Sequence, residues 1–302
     1  GWWLHLVLAG GVAAVAVIGA GLMGRRLAGL IAAHGFDVTL ADTQVSVLPE
    51  ALEAARAMAG GAGSLTESAD ILTAVSDVDF VLEAIIEDLD VKQNLFAEIS
   101  HVNAHAILAS NSSVIPITAI AEKASVPQRC VGTHFWNPPD LIPIVEVVRG
   151  THTSDATMDR TVEFLDALGK MPVRVEKDVP GFVGNRLQHA LWREAIDLVA
   201  TGVCDAETVD RVVRNTIGLR LGEMGPIENA DYVGLDLTLA IHQAVLPSIN
   251  ADRHPSPYLE QLVAEGNLGA KTGQGFLTWH EGQREAAASR LAEHVQSQLS
   301  SQ

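Results

Sequence analysis

Cations are scarce in this sequence. Twenty Lys and Arg face 37 Asp and Glu among 302 residues, a formal charge of −17. A nucleic-acid binder needs a basic patch to meet phosphates, so this balance argues against that class. It also disfavours anionic substrates, unless a local basic pocket overrides the overall field. Cysteine is scarcer still, with Cys130 and Cys204 alone. Two cysteines cannot staple a chain of this length, and neither lies in a C-x-x-C pair. Disulfide, zinc and dithiol chemistry therefore have no support, no metal is expected, and a reducing cytoplasm is the default compartment. The sequence also lacks a clean membrane span of about 20 apolar residues. Its first 18 residues are almost wholly apolar, but Gly10 and Gly11 interrupt them and Gly19 and Gly21 follow directly. A signal peptide would start with bases, and no Lys or Arg precedes Arg25. Residues 1–13 thus read as a short tail before a buried strand that begins near Ala14.

What is present suits a packed globular protein. Hydrophobic residues make up 48% and charged residues 19%, and the length allows two domains. No internal repeat is evident. The first half alternates short apolar runs with helical stretches. Strands are expected at Val15–Ile18, Asp37–Ala41, Val78–Glu83, Ala106–Ala109, Cys130–Thr133 and Ile144–Val148. Helices are expected at Leu22–His34, Pro49–Ala59 and Val91–His101. Such alternation predicts a doubly wound parallel sheet with helices on both faces. After Pro180 the pattern turns helical throughout, with Phe182–Thr201, Ala206–Asn215 and Tyr232–Leu246 as the clearest stretches. This predicts an α/β domain over residues 14–179 and an all-helical domain over 180–302.

The segment Val15-Ala-Val-Ile-Gly19-Ala-Gly21-Leu22-Met23-Gly24 is G-x-G-x-x-G, placed between a strand and a helix. Gly19 permits the tight turn, Gly21 leaves the backbone open to a pyrophosphate, and Gly24 lets helix and strand pack closely. The helix start adds free N–H groups and a positive dipole end. At the end of the second strand stands Asp42, 18 residues after Gly24. An acid there accepts hydrogen bonds from the adenine ribose and repels a 2′-phosphate, which favours NAD over NADP. Gly19, Gly21, Leu22, Met23, Gly24 and Asp42 are accordingly the candidate cofactor residues of a Rossmann-like fold.

Two anomalies lie further on. His134 ends a strand in Gly-Thr-His134-Phe-Trp-Asn137-Pro, and Glu146 interrupts the apolar run Ile144-Val-Glu146-Val-Val. A carboxylate between valines is costly unless paired. Each anomaly explains the other if the carboxylate bonds one imidazole nitrogen and leaves the second for proton transfer. A satisfied core histidine remains the alternative at this point.

Taken with these motifs, the chain resembles the L-3-hydroxyacyl-CoA dehydrogenase family. The matching segments include Val81-Leu-Glu83-Ala, Asn111-Ser-Ser113, His134-Phe-Trp-Asn137-Pro, Pro180-Gly-Phe-Val-Gly-Asn185-Arg186 and Lys271-Thr-Gly-Gln-Gly-Phe276, in family order over about residues 15–280. The resemblance implies that His134 takes the hydroxyl proton while hydride leaves the same carbon for NAD. It implies that Glu146 orients His134, that Ser113 bonds the reacting oxygen and that Asn185 holds the substrate. Glu83 and Lys271 match cofactor-contact positions, and Asn137 is implied to brace the loop carrying His134. A homodimer through the helical domain, an active site in the cleft between domains and a place in fatty-acid metabolism are implied as well.

Three departures bear on the substrate. The stretch from Thr43 to Ser76, where the family carries a long basic extension toward CoA, is short and holds one base, Arg56. The pair Glu87-Asp88 puts an acid where the family commonly has an asparagine near both cofactor and substrate. The loop Pro138-Pro139-Asp140-Leu-Ile-Pro143 is similar to that of relatives acting on non-CoA hydroxy acids or aromatic carbinols. The reading is thus an NAD-dependent dehydrogenase of a 3-hydroxyacyl group, carried on CoA, with two alternatives. One is a dehydrogenase of a free hydroxy acid, aromatic carbinol or aldehyde; the other is a non-catalytic NAD-binding structural protein. A lysine-dependent 3-hydroxyisobutyrate or 6-phosphogluconate type of enzyme fits less well, because the His134–Glu146 pair would go unexplained.

Overall fold

In the computed structural model, residues 9–300 are described. Strand β1 (Ala14–Ile18) is nearly all apolar and splits its side chains between two cores. Val15 and Val17 face one, Ala16 and Ile18 the other, as the two-residue period of a strand requires. The remaining elements of the first half follow in order. They are α1 (Leu22–Ala33), β2 (Asp37–Ala41), α2 (Leu48–Ala59), β3 (Leu65–Ser68), α3 (Ile71–Val75), β4 (Phe80–Glu83), α4 (Leu89–Val102), β5 (Ile107–Ser110) and α5 (Ile117–Ile120). Then come β6 (Cys130–Phe135), β7 (Ile144–Val148), α6 (Asp155–Ala167) and β8 (Met171–Val175).

The eight strands form one sheet in the order β3-β2-β1-β4-β5-β6-β7-β8. All neighbours are parallel except β6 and β7, which run antiparallel. The reason is the length of the connection. A parallel crossover needs a dozen or more residues, and only the loop 136–143 separates these two strands. Five elements of the first half are not among those expected from the sequence: the short helices α3 and α5, and β3, β8 and α6. β3 is short and polar at an edge, β8 is an edge strand containing Pro172, and α6 alternates buried Met158, Thr161, Phe164 and Leu165 with charged residues. Ahead of β1, Ala9 and Val12 are fully buried and Arg160 Nε donates to the Gly10 carbonyl at 2.8 Å. The tail expected over 1–13 is therefore packed into the core from residue 9 onward; residues 1–8 lie outside the described residues.

The chain divides into a unit ending at Arg186 and one beginning at Leu187. The second unit is helical. It contains most of α7 (Gly184–Ala200), then α8 (Ala206–Asn215), α9 (Ile217–Leu221), α10 (Pro226–Val233), α11 (Leu235–Val245), α12 (Pro257–Ala264) and α13 (Gln283–Leu299). The single helix expected over Tyr232–Leu246 is broken at Gly234, whose φ of +100° lies in the left-handed region. Among the described residues, no helix is long and apolar enough to cross a membrane.

Candidate active site

The carboxyl ends of the parallel strands gather the residues singled out in the sequence. At the end of β1, Gly19 has φ +101°, and a Cβ on it would strike the Ala84 carbonyl oxygen at 2.6 Å. A Cβ on Gly24 would lie 1.7 Å from the Gly19 carbonyl oxygen, so α1 can approach the turn only with glycine there. Gly21 differs, because nothing lies within 4 Å of the Cβ it lacks. That opening is the cradle a pyrophosphate needs. No side chain caps α1 and no acid sits in its first turn, so its amides and positive end are uncommitted. Leu22 is exposed and Met23 is half-buried at this helix start. Asp42 is half-buried at the end of β2, where its carboxylate accepts from the Ala20 amide at 2.8 Å and the Gln44 amide at 2.8 Å. These residues fit a dinucleotide.

His134 and Glu146 stand opposite each other in the β6–β7 ladder. His134 Nδ1 donates to Glu146 Oε2 at 2.6 Å, and both residues are buried. The other carboxylate oxygen, Oε1, accepts from the amides of Val183 at 2.9 Å and Gly184 at 3.0 Å, at the start of α7. Burial opposes ionisation of Glu146. The bonds from His134 and the two amides outweigh it and hold the carboxyl below its ordinary range. With Nδ1 bonded as donor, the neutral imidazole has Nε2 as its acceptor. Two aromatic contacts fix the ring's surroundings. Trp136 and Phe182 lie with ring centroids 5.0 and 5.8 Å from His134, and Phe182 is held at φ +49°. Trp136 in turn presses on Gly184, where a Cβ would meet its Cζ2 at 2.2 Å.

Ser113 and Asn185 are also brought together. The Asn185 amide Nδ2 donates to the Ser113 carbonyl at 3.0 Å. Ser113 is exposed, and its loop is held by Glu87, a role the sequence did not signal. Glu87 Oε1 accepts from the Ser112 hydroxyl, from Ser113 N at 3.0 Å and from Val114 N at 3.2 Å. Lys92, 1% exposed, lies between Glu87 and Glu83, with Nζ 3.3 Å from the former and 2.6 Å from the latter. Lys92 shares a helical face with buried Leu95, Phe96 and Ile99, so the signal for it was a lysine standing in an apolar stripe.

Two residues have surroundings their motifs did not suggest. The Glu83 carboxylate is engaged within the protein. It is fully buried, and its carboxylate is taken up by Lys92, by the Ser110 hydroxyl at 2.6 Å and by the Ile85 amide at 2.8 Å. A buried acid on a central strand needs such partners, and Glu83 anchors Lys92. Asn137 is exposed and its side chain has no hydrogen bond among the described residues, so it does not brace its loop. The bracing comes from Asp140, bonded to Arg26, and from Lys170, bonded to the carbonyls of Pro139 and Ile142. Lys271 belongs to the second unit and is exposed in a glycine-rich turn. Cys130 is buried, and its thiol is pushed up to about 12, which removes it from thiolate chemistry.

With this geometry in view, two sequence models match the chain. The 3-hydroxyacyl-CoA dehydrogenase NAD-binding domain matches residues 14–179 and the C-terminal domain of the same enzymes matches 181–279. The chain belongs to the 3-hydroxyacyl-CoA dehydrogenase family. It is an NAD-dependent oxidoreductase acting on CH–OH groups. A probable 3-hydroxybutyryl-CoA dehydrogenase of Deinococcus radiodurans is 38% identical over 275 residues, covering 86% of this chain and 98% of that one. Among solved structures, a 5-formyl-3-hydroxy-2-methylpyridine-4-carboxylic acid 5-dehydrogenase superposes with a TM-score of 0.88 at 31% identity, covering 94% and 96% of the two chains. An (S)-3-hydroxybutyryl-CoA dehydrogenase of Ralstonia eutropha gives 0.72 at 30% identity, covering 89% and 100%.

The Glu87 network has a pH signature. Burial opposes its ionisation, but the Ser112 hydroxyl, Lys92 and the loop amides prevail and lower its pKa below the ordinary 4.5. The stability it contributes is therefore full above that ordinary value and is lost as pH falls through the lower folded one. Melting curves of the wild type and Glu87→Gln between neutral pH and about pH 3 should differ most at the neutral end and converge in acid. Parallel curves would show that ionised Glu87 does not hold the Ser113 loop.

Proposed function

We propose that the chain interconverts a 3-hydroxyacyl group and its 3-oxo form, with His134 as the base. The observation that carries this is the His134 Nδ1–Glu146 Oε2 bond of 2.6 Å inside the sheet. It fixes the tautomer, so Nε2 takes the hydroxyl proton as the carbonyl forms. Glu146, ionised and bonded on both oxygens, compensates the positive charge that His134 gains. Ser113 bonds the reacting oxygen, and Asn185, linked to the Ser113 carbonyl, holds the substrate beside it. NAD, when bound, accepts the hydride from the same carbon and returns it in the reverse direction. Gly19, Gly21, Leu22, Met23 and Gly24 receive its pyrophosphate, Asp42 its adenine ribose, and Lys271 makes a further cofactor contact. Two free cysteines suit a reducing cytoplasm.

In the reading nearest to the relatives' names, the acyl group is carried on CoA, which would place the chain in fatty-acid metabolism. A second reading has a specific basis. The 5-formyl-3-hydroxy-2-methylpyridine-4-carboxylic acid 5-dehydrogenase superposes better than the hydroxybutyryl-CoA enzyme. The first unit also has few cations to offer a nucleotide tail. Arg25, Arg26, Arg149 and Arg174 are paired with carboxylates, and Lys92 and Lys170 are buried with partners of their own. A free hydroxy acid or aromatic carbinol would not need that charge.

The helical half supports a homodimer. None of the helices α7 to α13 has a buried residue, although α11 reads Leu235-Asp-Leu237-Thr-Leu239-Ala-Ile241 and exposes all four of its numbered side chains. Apolar surface on that scale calls for a covering partner, and a second copy of these helices supplies an equally apolar one.

Three measurements follow. His134→Gln should cut turnover by about 10² to 10⁴-fold while NAD still binds, since general-base catalysis contributes about that much; near-normal turnover would remove His134 from the chemistry. NADH oxidation with acetoacetyl-CoA and with free acetoacetate at matched concentrations separates the substrate readings. A strong thioester preference selects the CoA reading, and its absence moves the search to free hydroxy acids and aromatic carbinols. Light scattering should give twice the 32.0 kDa of one chain, with a melting temperature that rises with protein concentration. A stable species of single-chain mass would overturn the dimer.

A further inference from the structure

Arg26 lies in the first turns of α1, two residues after Gly24, and its side chain leaves the cofactor helix altogether. Nε and Nη2 donate to Asp140 Oδ1 at 2.8 Å and Oδ2 at 3.0 Å. This is the two-pronged geometry in which a planar guanidinium meets a carboxylate, and a lysine could not reproduce it. Asp140 sits in the loop 136–143, the connection between the strand bearing His134 and the strand bearing Glu146. The loop is fastened on its other side too. Lys170, 7% exposed, donates to the Pro139 and Ile142 carbonyls, and the Met171 amide donates to the Pro143 carbonyl at 2.9 Å. Within the loop, the amides of Leu141 and Ile142 both donate to the Pro138 carbonyl. A loop so fastened transmits a pull on Asp140 to the ends of β6 and β7.

We propose that Arg26 and Asp140 are a positioning pair, which sets the cofactor-binding helix α1 against the β6–β7 hairpin that carries His134 and Glu146. The inference rests on the reading of His134 as the base. The physical need is simple. Proton and hydride leave adjacent atoms of one substrate, so the group that fixes the dinucleotide and the group that takes the proton must hold one relative placement. A misplacement of 1 Å can cost about 10²-fold in rate. The pair is not required for folding. Both side chains keep a quarter to a third of their exposure, and an ion pair of that kind contributes little to stability. Its partners are also consistent with a permanent charge pair. Burial works against the Asp140 carboxylate, but the Arg26 hydrogen bonds and charge, with Lys170 nearby, hold it below the ordinary range.

The test is a double-mutant cycle with Arg26→Gln, Asp140→Asn and the double variant, alongside His134→Gln. Kinetics use whichever 3-oxoacyl thioester, free oxo acid or aromatic aldehyde the wild type reduces fastest with NADH. Each single variant should lose about tenfold or more in kcat, keep KM for NADH within about twofold, and melt close to the wild type. The double variant should lose no more than the worse single, because the two side chains act as one unit. Hydrogen exchange in the cofactor-free protein should speed up at the Leu141 and Ile142 amides in both singles. Wild-type kcat in either single overturns the proposal, as do losses that multiply in the double variant. A raised KM for NADH in Arg26→Gln alone overturns it as well and makes Arg26 a cofactor ligand. If His134→Gln is fully active, the acid–base reading fails. If His134→Gln is crippled while Arg26→Gln and Asp140→Asn are normal, only the positioning pair fails.

Discussion

The carboxylate of Glu146 has two clients. One oxygen takes the Nδ1 proton of His134, and the other takes the first amides of α7. Placed between valines on an interior strand, it would be a costly charge without both. The helix end brings a positive dipole to the carboxylate and so favours its ionised form, and the carboxylate in turn dictates the histidine's tautomer. The chain must turn sharply after β8 to deliver those amides. Gly181 at φ +78° and Phe182 at φ +49° make that turn, and Phe182 then packs beside the imidazole. Backbone conformation, the start of α7 and the His134–Glu146 bond are therefore one arrangement here, and altering any of them alters the others.

Much of this was legible in the residues because the signals were local. The glycine spacing announced the cofactor turn, and β2 with Asp42 followed at the expected place. Glu146 betrayed itself as a polar residue where the strand pattern wanted an apolar one, and His134 was the complement it needed. The parts that escaped depend on long-range partners. Glu83 reads as a cofactor contact by its motif, yet the ladder places it beside Ser110, and α4 brings Lys92 over it. Nothing near Glu87 in sequence says that it will tie down Ser112, Ser113 and Val114. Likewise Arg26 and Asp140 are 114 residues apart and meet only once the sheet has formed. The antiparallel turn between β6 and β7 was within reach, since the connection is too short for a crossover.

The shortage of bases shapes the molecule's electrostatics. The whole chain has 20 cations for 37 acids, and the first unit gives several of its own buried or partly buried tasks: Lys92 sits between two acids, Lys170 straps a loop, and Arg26 is locked to Asp140. The helical half distributes its residues differently. Its helices expose many leucines and valines.

The antiparallel pairing of β6 and β7 has an evolutionary consequence. His134 and Glu146 face each other because of strand register, which the ladder fixes residue by residue. The loop between them takes no part in that pairing. Substitutions in it that leave the Asp140 and Lys170 anchors intact can therefore change the loop surface while His134 and Glu146 stay paired. In a scaffold of this kind the strands hold a buried pair in fixed register, and the turn that joins them is free to vary wherever it is not anchored.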